Sequence, residues 1–169
     1  MNTSLNLKNN IICNGDALNF LKKLEDSSVD LIIVDPPYKL EMPEKDIFDY
    51  KDSLMKKRKM RRVKEEWDKF SLEEYLSWSE KWMLESKRVL SDSGSMFVFG
   101  SYHNIGLINY ICQKIDFMII NDICWYKRNA VPNLACRRLT ASFESILWIA
   151  KNKKYTFNYK DLKFGDFPK

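Results

Sequence analysis

The apolar run Leu31-Ile32-Ile33-Val34, closed at once by Asp35-Pro36-Pro37-Tyr38, constrains this chain more than any other feature. Asp30 bounds the run, and the turn-like Glu25-Asp26-Ser27-Ser28 leads into it. Rich in β-branched residues and stopped by prolines, it predicts a buried parallel strand, residues 30 to 34, that ends at a rigid loop. Two successive prolines fix their own φ and push Asp35 out of the helical region. The loop therefore presents one carboxylate, the carbonyls of Asp35 and Pro36, and one aromatic ring in a nearly fixed arrangement. Such a set suits a flat heterocycle with an exocyclic amine: the oxygens accept from the NH2 group while Tyr38 stacks on the ring. The plain reading of the same residues is a strand, a stiff turn and a half-buried tyrosine. Placement favours the ligand, because in open α/β sheets ligands gather at the carboxyl ends of strands.

Periodicity supplies the frame around that loop. Asn10 to Cys13 predicts a short strand, and Asp16 the N-cap of a helix through Leu24 with Leu18, Leu21 and Leu24 on one side. With the strand at 30–34 central in the sheet, this makes a right-handed β-α-β opening. Residues 39 to 65 lack clean periodicity and predict a long loop with a possible basic helix. Ser71-Leu72-Glu73-Glu74 is a capping box. The helix it opens carries Leu72, Tyr75, Leu76, Trp82, Met83, Val89 and Leu90 at helical spacing up to the turn Ser91-Asp92-Ser93-Gly94. Core packing is the reading for that stripe. A strand over 95–99, a helix near 105–115 and a strand over 118–126 follow. After a loop through Asn129-Ala130-Val131-Pro132-Asn133 and Arg137-Arg138 comes a last strand over 145–150. The alternation predicts an α/β chain with a mostly parallel sheet, helices on both faces, and the last strand pair as an antiparallel hairpin.

Length and composition exclude several classes. A chain of 169 residues holds one domain with a core and is short for two. No apolar stretch approaches membrane-spanning length, and the polar Met1-Asn2-Thr3-Ser4 lacks a signal peptide's apolar region, so a cytoplasmic protein is expected. The four cysteines, Cys13, Cys112, Cys124 and Cys136, form no Cys-x-x-Cys pair, and His103 is the only histidine. No metal site is expected, and the cysteines read as reduced core thiols. The net charge of +5 is concentrated in one run that includes Lys56, Lys57, Arg58, Lys59, Arg61 and Arg62. A solvated surface and a phosphate-binding segment both fit that run.

The loop and its surroundings resemble the amino-group DNA methyltransferases, which use S-adenosylmethionine and hold a flipped target base in an Asp/Asn/Ser-Pro-Pro-Tyr/Phe loop. The resemblance extends through Asn14-Gly15-Asp16-Ala17-Leu18, Glu66-Trp67-Asp68-Lys69-Phe70, Met96-Phe97-Val98-Phe99-Gly100-Ser101, Trp125-Tyr126-Lys127-Arg128-Asn129 and Phe143-Glu144-Ser145-Ile146-Leu147-Trp148. It covers residues from about 11 to 158, and beyond the Pro-Pro-Tyr loop it rests on the order of these segments. It implies a Rossmann-like methyltransferase fold and catalytic roles for Asp35, Pro36, Pro37 and Tyr38. It further implies cofactor contact by Asp16, Ala17 and Asp35, and DNA contact by the basic run and by Arg137 and Arg138. Trp67, Trp125 and Ser101 become pocket candidates. Phe143 departs from the His-Glu or Thr-Glu pair often seen in the family, which leaves no polar role at that position.

A methyltransferase of this type also needs a Gly-x-Gly turn for the methionine end of its cofactor. The five glycines, at positions 15, 94, 100, 106 and 165, include no such pair. The order of segments resembles the circularly permuted class, in which the catalytic part precedes the cofactor part. Residues 1–169 thus read as one incomplete methyltransferase domain, with 151–169 a truncated tail and a separate C-terminal half or subunit as a possible partner. The expected activity is methylation of the adenine exocyclic amine in duplex DNA, as the modification part of a type II restriction-modification system and impaired alone. The alternatives are transfer to the cytosine amine and a non-catalytic nucleic-acid-binding remnant.

Overall fold

The capping box forms in both halves: the Glu74 amide donates to Ser71 Oγ at 3.1 Å, and the Ser71 amide donates to a Glu74 carboxylate oxygen at 2.8 Å. It opens the longest helix of the computed structural model, which describes residues 10–38, 70–130 and 137–163. In chain order the elements are α1 (Ala17–Leu21), β1 (Val29–Val34), α2 (Leu72–Val89), β2 (Leu90–Gly100), α3 (Ile105–Lys114), β3 (Met118–Tyr126), β4 (Phe143–Ala150) and α4 (Tyr159–Lys163). The long loop at 39–65, the basic run Lys56 to Arg62 and Trp67 lie outside the described residues.

The four strands lie in the order β1-β2-β4-β3. Among the described strands only β1 and β2 are parallel; β4 runs antiparallel to both β2 and β3. The expectation of a mostly parallel sheet is therefore corrected, although the β3–β4 hairpin forms. Its return strand inserts between β2 and β3, which gives β2 an antiparallel neighbour where a parallel one was expected. Leu90 follows α2 directly, and the turn Ser91–Gly94 bulges out: β1 advances from Val29 to Leu31 while its partner jumps from Leu90 to Ser95.

Alternation along the strands assigns the two faces. Met96 and Val98 of β2 with Leu147 and Ile149 of β4 join Tyr75, Trp82 and Met83 of α2 and Ile108, Ile111 and Cys112 of α3 in one buried cluster. Deleting one of these large side chains to alanine removes about 2–5 kcal/mol. The opposite face carries Phe97 stacked on Trp148 at 5.6 Å, with Tyr155 and Phe157 closing on Trp148 from the following segment. That segment, expected as a tail, is tied back by the Thr156 amide on the Ser93 carbonyl and ends in α4. Helices α2 and α3 thus cover one face, not both, among the described residues.

Among the described strands β1 lies at an edge, not at the centre, and its residues Leu31 and Ile33 are 53% and 67% exposed. The strand expected at Asn10–Cys13 is absent, with Ile12 fully exposed. A strand needs a neighbour to take its amide hydrogen bonds, and no described element lies beside this one. The Asp16 cap forms as expected, accepting from the Asn19 amide at 2.8 Å, but α1 ends at Leu21 and gives way to tight turns. Arg88, in the last turn of α2, grips that end: it donates to the Leu21 and Leu24 carbonyls and to Asp26. Only Cys112 among the described cysteines is a core thiol, while Cys13 and Cys124 are exposed. Burial pushes the Cys112 thiol up to about 12. No described helix is long and apolar enough to cross a membrane.

Candidate nucleotide-base site

The register fixes where the Pro-Pro-Tyr loop emerges. Val34 pairs with Val98, so Asp35 leaves β1 beside the last residues of β2, and Gly100 of β2 pairs with Ser145 of β4. Trp125 pairs with Glu144 on the next strand. The carboxyl ends of the parallel pair β1 and β2, together with the start of β4, therefore gather Asp35, Ser101 and Glu144 at one rim of the sheet, as α/β geometry requires.

Within the loop, Asp35 is exposed, Pro36 is buried, and Pro37 and Tyr38 are half-buried. Tyr38 does not stand free: burial, and then a hydrogen bond from its hydroxyl to the Asp35 carboxylate, raise its pKa well above the ordinary tyrosine value. The shift favours the protonated hydroxyl, the form that donates to Asp35. Glu144 also adds to this rise through its negative charge, which places a second carboxylate near the tyrosine. That carboxylate is neutralised by the Lys127 ammonium, which also lies 5.6 Å from the Trp125 ring. Trp125 packs edge-on to Phe99 at 5.8 Å and is half exposed, so it belongs to the rim and not to the core.

The scaffold holds the loop from below. The Tyr75 hydroxyl, fully buried on α2, donates to the Pro37 carbonyl at 2.9 Å and accepts from Asn104 Nδ2 at 3.1 Å. Ser101 spends its groups locally: its amide donates to Asn104 Oδ1 at 2.9 Å, and its hydroxyl accepts from the His103 amide at 3.3 Å. Sequence reading placed Tyr75 in the core stripe, named Glu144 and Lys127 within resembling segments without giving them a role, and passed over Asn104. A tyrosine on the buried side of a helix carries no signal that separates it from phenylalanine until its partner is known.

The other expected site residues lie on other segments of the chain. Asp16 and Ala17 are exposed at the start of α1, and no hydrogen bond or ion pair joins Asp16 to Asp35 among the described residues. Arg137 and Arg138 are exposed, with Arg138 donating to the Tyr102 hydroxyl at 2.9 Å and Tyr102 lying 4.2 Å from the His103 ring. The arginine is thereby held near the segment that follows β2.

A family model described as DNA methylase matches residues 29–165. The type II methyltransferase M.HinfI of Haemophilus influenzae is 42% identical over 157 residues, which cover 91% of this chain and 42% of that protein. The type II methyltransferase M2.MboI of Moraxella bovis is 33% identical over 159 residues, covering 92% of this chain and 56% of that one. The chain thus spans about half the length of these curated relatives. Among solved structures, the PvuII DNA methyltransferase (cytosine-N4-specific) superposes with a TM-score of 0.62 at 16% identity, over 91% of this chain and 53% of its own. The DNA modification methylase TTHA0409 of Thermus thermophilus, solved in complex with S-adenosyl-L-methionine, gives 0.57 at 21% identity, over 87% and 57%. At these identities the structural likeness concerns the fold.

Proposed function

This chain belongs to the DNA methylase family, and from that premise we propose that it is the catalytic part of a type II modification enzyme that methylates the adenine exocyclic amine of duplex DNA. One observation carries the reading: the Asp35–Tyr38 loop leaves the carboxyl end of a parallel strand with its carboxylate tethered to Tyr38 and its last proline carbonyl gripped by the core.

The amine of an aromatic base is a poor nucleophile because its lone pair is delocalised into the ring. Asp35 and the Pro36 carbonyl, accepting its two N–H bonds, draw the nitrogen toward tetrahedral geometry and free the lone pair for attack. Positioning and electrostatics supply the acceleration, with no covalent enzyme intermediate. The base has to leave the duplex first, and the Tyr38 ring offers a stacking surface in place of its lost neighbours. The Tyr38 hydroxyl occupies part of the Asp35 acceptor capacity and orients what remains toward the amine. Arg137 and Arg138, with the basic run at 56–62, supply phosphate contacts that hold the duplex over the rim.

S-adenosylmethionine supplies the electrophilic methyl group. The residues present fit its adenosyl end: a Cβ built on Gly15 meets nothing within 4 Å, and the neighbouring Asp16 carboxylate is exposed. Asp16 and Ala17 would hold that end, with Asp35 shared between cofactor and base. The methionine end needs a glycine-rich turn that this sequence lacks, so we propose a second polypeptide segment that pairs with the free edge of β1 and covers Leu31 and Ile33. The edge position of β1 among the described strands and the half-length match to the relatives support that arrangement.

The experiment is transfer of labelled methyl groups to duplex DNA by this chain mixed with the C-terminal half of a full-length relative, followed by nucleoside analysis. N6-methyladenine is the expected product. Methyl label on cytosine would shift the reading to the cytosine amine, and DNA binding without transfer in every combination would leave a nucleic-acid-binding remnant.

A further inference from the structure

We propose that Tyr75 and Asn104 are positioning residues that aim Tyr38, through a one-way chain of hydrogen bonds from the end of β2 to the Pro37 carbonyl. The inference rests on the amine-binding reading of the Asp35–Tyr38 loop. The direction of the chain follows from its first member. A backbone amide only donates, so the Ser101 amide, 2.9 Å from Asn104, requires the side-chain oxygen on that side. The Asn104 NH2 group must then face Tyr75, which it reaches at 3.1 Å. The Tyr75 oxygen accepts that bond, which leaves its single proton for the Pro37 carbonyl at 2.9 Å. Both side chains are fully buried, so any broken link leaves a polar group without water to replace its partner.

The target of the chain is the torsion that the Pro-Pro pair itself leaves soft. Rings fix φ at Pro36 and Pro37, and a following proline restricts ψ at Asp35 and Pro36. The ψ of Pro37 remains, and it sets the direction in which Tyr38 departs. Gripping the Pro37 carbonyl locks that angle. Packing alone does not ask for the hydroxyl, because a phenylalanine would fill the same space. Gly100 makes room for the device: a Cβ there would lie 3.0 Å from Asn104 Oδ1 and 2.8 Å from Ile105 Cδ1. Asn104 stands at the N-cap position of α3 yet makes no side-chain cap bond to that helix, its amide being committed to Ser101 and Tyr75 instead.

The test places 3-fluorotyrosine at position 38 of the whole chain and follows its fluorine resonance against pH, a readout that loss of packing elsewhere does not move. The wild-type chain should give one resonance that titrates above free fluorotyrosine. Tyr75→Phe, confirmed as folded by its urea transition, should broaden or split that resonance and move its titration toward the free value. Asn104→Asp keeps an acceptor for Ser101, turns the Tyr75 proton away from Pro37, and should give the same change. A resonance and titration identical to wild type in both folded variants overturn the proposal. If neither variant folds, isotope-edited infrared of the wild-type Pro37 carbonyl decides: a hydrogen-bonded frequency supports the chain, and a free-carbonyl frequency overturns it. In the mixed methyl-transfer assay, Tyr75→Phe should lower kcat about tenfold with KM for DNA within about twofold. A fluorine response without methyl transfer by any form upholds the aiming device and rejects the methyltransferase reading.

Discussion

Replacing Arg88 with methionine should cost this protein more stability than the loss of any surface ion pair. The guanidinium joins α2 to the segment after α1 by donating to the Leu21 carbonyl at 2.9 Å, the Leu24 carbonyl at 3.0 Å and Asp26 at 2.5 Å. A second carboxylate, Glu85, lies 2.9 Å away on the same helix. Asp26 is the largest cause of the raised Arg88 pKa, yet its side chain is 77% exposed against 30% for Arg88. Water and salt screen that pair, whereas the Leu24 carbonyl accepts from the guanidinium and the Leu21 carbonyl accepts from both the guanidinium and the Leu24 amide. Charge-assisted bonds to backbone contribute about 1.5–3 kcal/mol each in full burial, and partial exposure reduces the pair to about 2–3 kcal/mol together. For a chain of this size that lowers the melting temperature by roughly 5–10 °C. The assay is urea unfolding of wild type, Arg88→Met and Asp26→Asn at two salt concentrations. Arg88→Met should lose about 2–3 kcal/mol with little salt dependence, while Asp26→Asn should lose a small fraction of that and only at low salt. Equal losses in the two variants would refute the carbonyl clamp and assign the effect to the ion pair.

Gly100→Ala should destabilise by about 1–3 kcal/mol through the Asn104 and Ile105 contacts, while Gly15→Ala, with open space around it, should stay within about 0.5 kcal/mol; urea midpoints in the opposite order would contradict the packing at the end of β2. Cys13 and Cys124 should react with a thiol reagent in the native protein, and Cys112 only on unfolding; native labelling of Cys112, read by peptide mass, would refute its burial. Because the folded Cys112 thiol is raised from 9.0 to about 12, its contribution to stability is fully present below pH 9 and is lost as pH rises toward 12. Cys112→Ala should flatten that alkaline decline. Neutralising Lys56, Lys57, Arg58, Lys59, Arg61 and Arg62 should weaken duplex binding and flatten its salt dependence; an unchanged slope would assign the run to solvent.

The sequence signals that held are local ones. The Ser71 box, the Asp16 cap, the helix after Asn104 and the strand at 118–126 are each written within a few residues, through caps and apolar spacing. What failed depended on partners distant in the chain. The run at 31–34 is a strand, but its two-sided apolar character signals burial on both faces, and only the assembled sheet shows β1 at an edge with Leu31 and Ile33 bare. The Asn10–Cys13 run has strand composition without a neighbour to pair with among the described residues. The insertion of β4 between β2 and β3 is a choice of register that alternation alone does not encode. At the site, Asp35–Tyr38 was legible because two prolines restrict the backbone whatever surrounds it. Tyr75 and Asn104 were not, because their role lies in hydrogen bonds that span 38 and 29 residues of sequence.

The most direct test of the Asp35 carboxylate as the acceptor that activates an exocyclic amine is single-turnover methyl transfer. Labelled S-adenosylmethionine, duplex DNA and a glycine-rich C-terminal half from a relative are mixed with wild-type chain or Asp35→Ala. Residues 1–169 alone should transfer almost nothing, since their five glycines include no Gly-x-Gly pair for the methionine end of the cofactor. The wild-type mixture should yield N6-methyladenine, and Asp35→Ala should abolish that product while duplex binding stays within about threefold, since the variant removes no phosphate contact. Transfer by the Asp35→Ala mixture at the wild-type rate would contradict the account, as would robust adenine methylation by residues 1–169 without any partner.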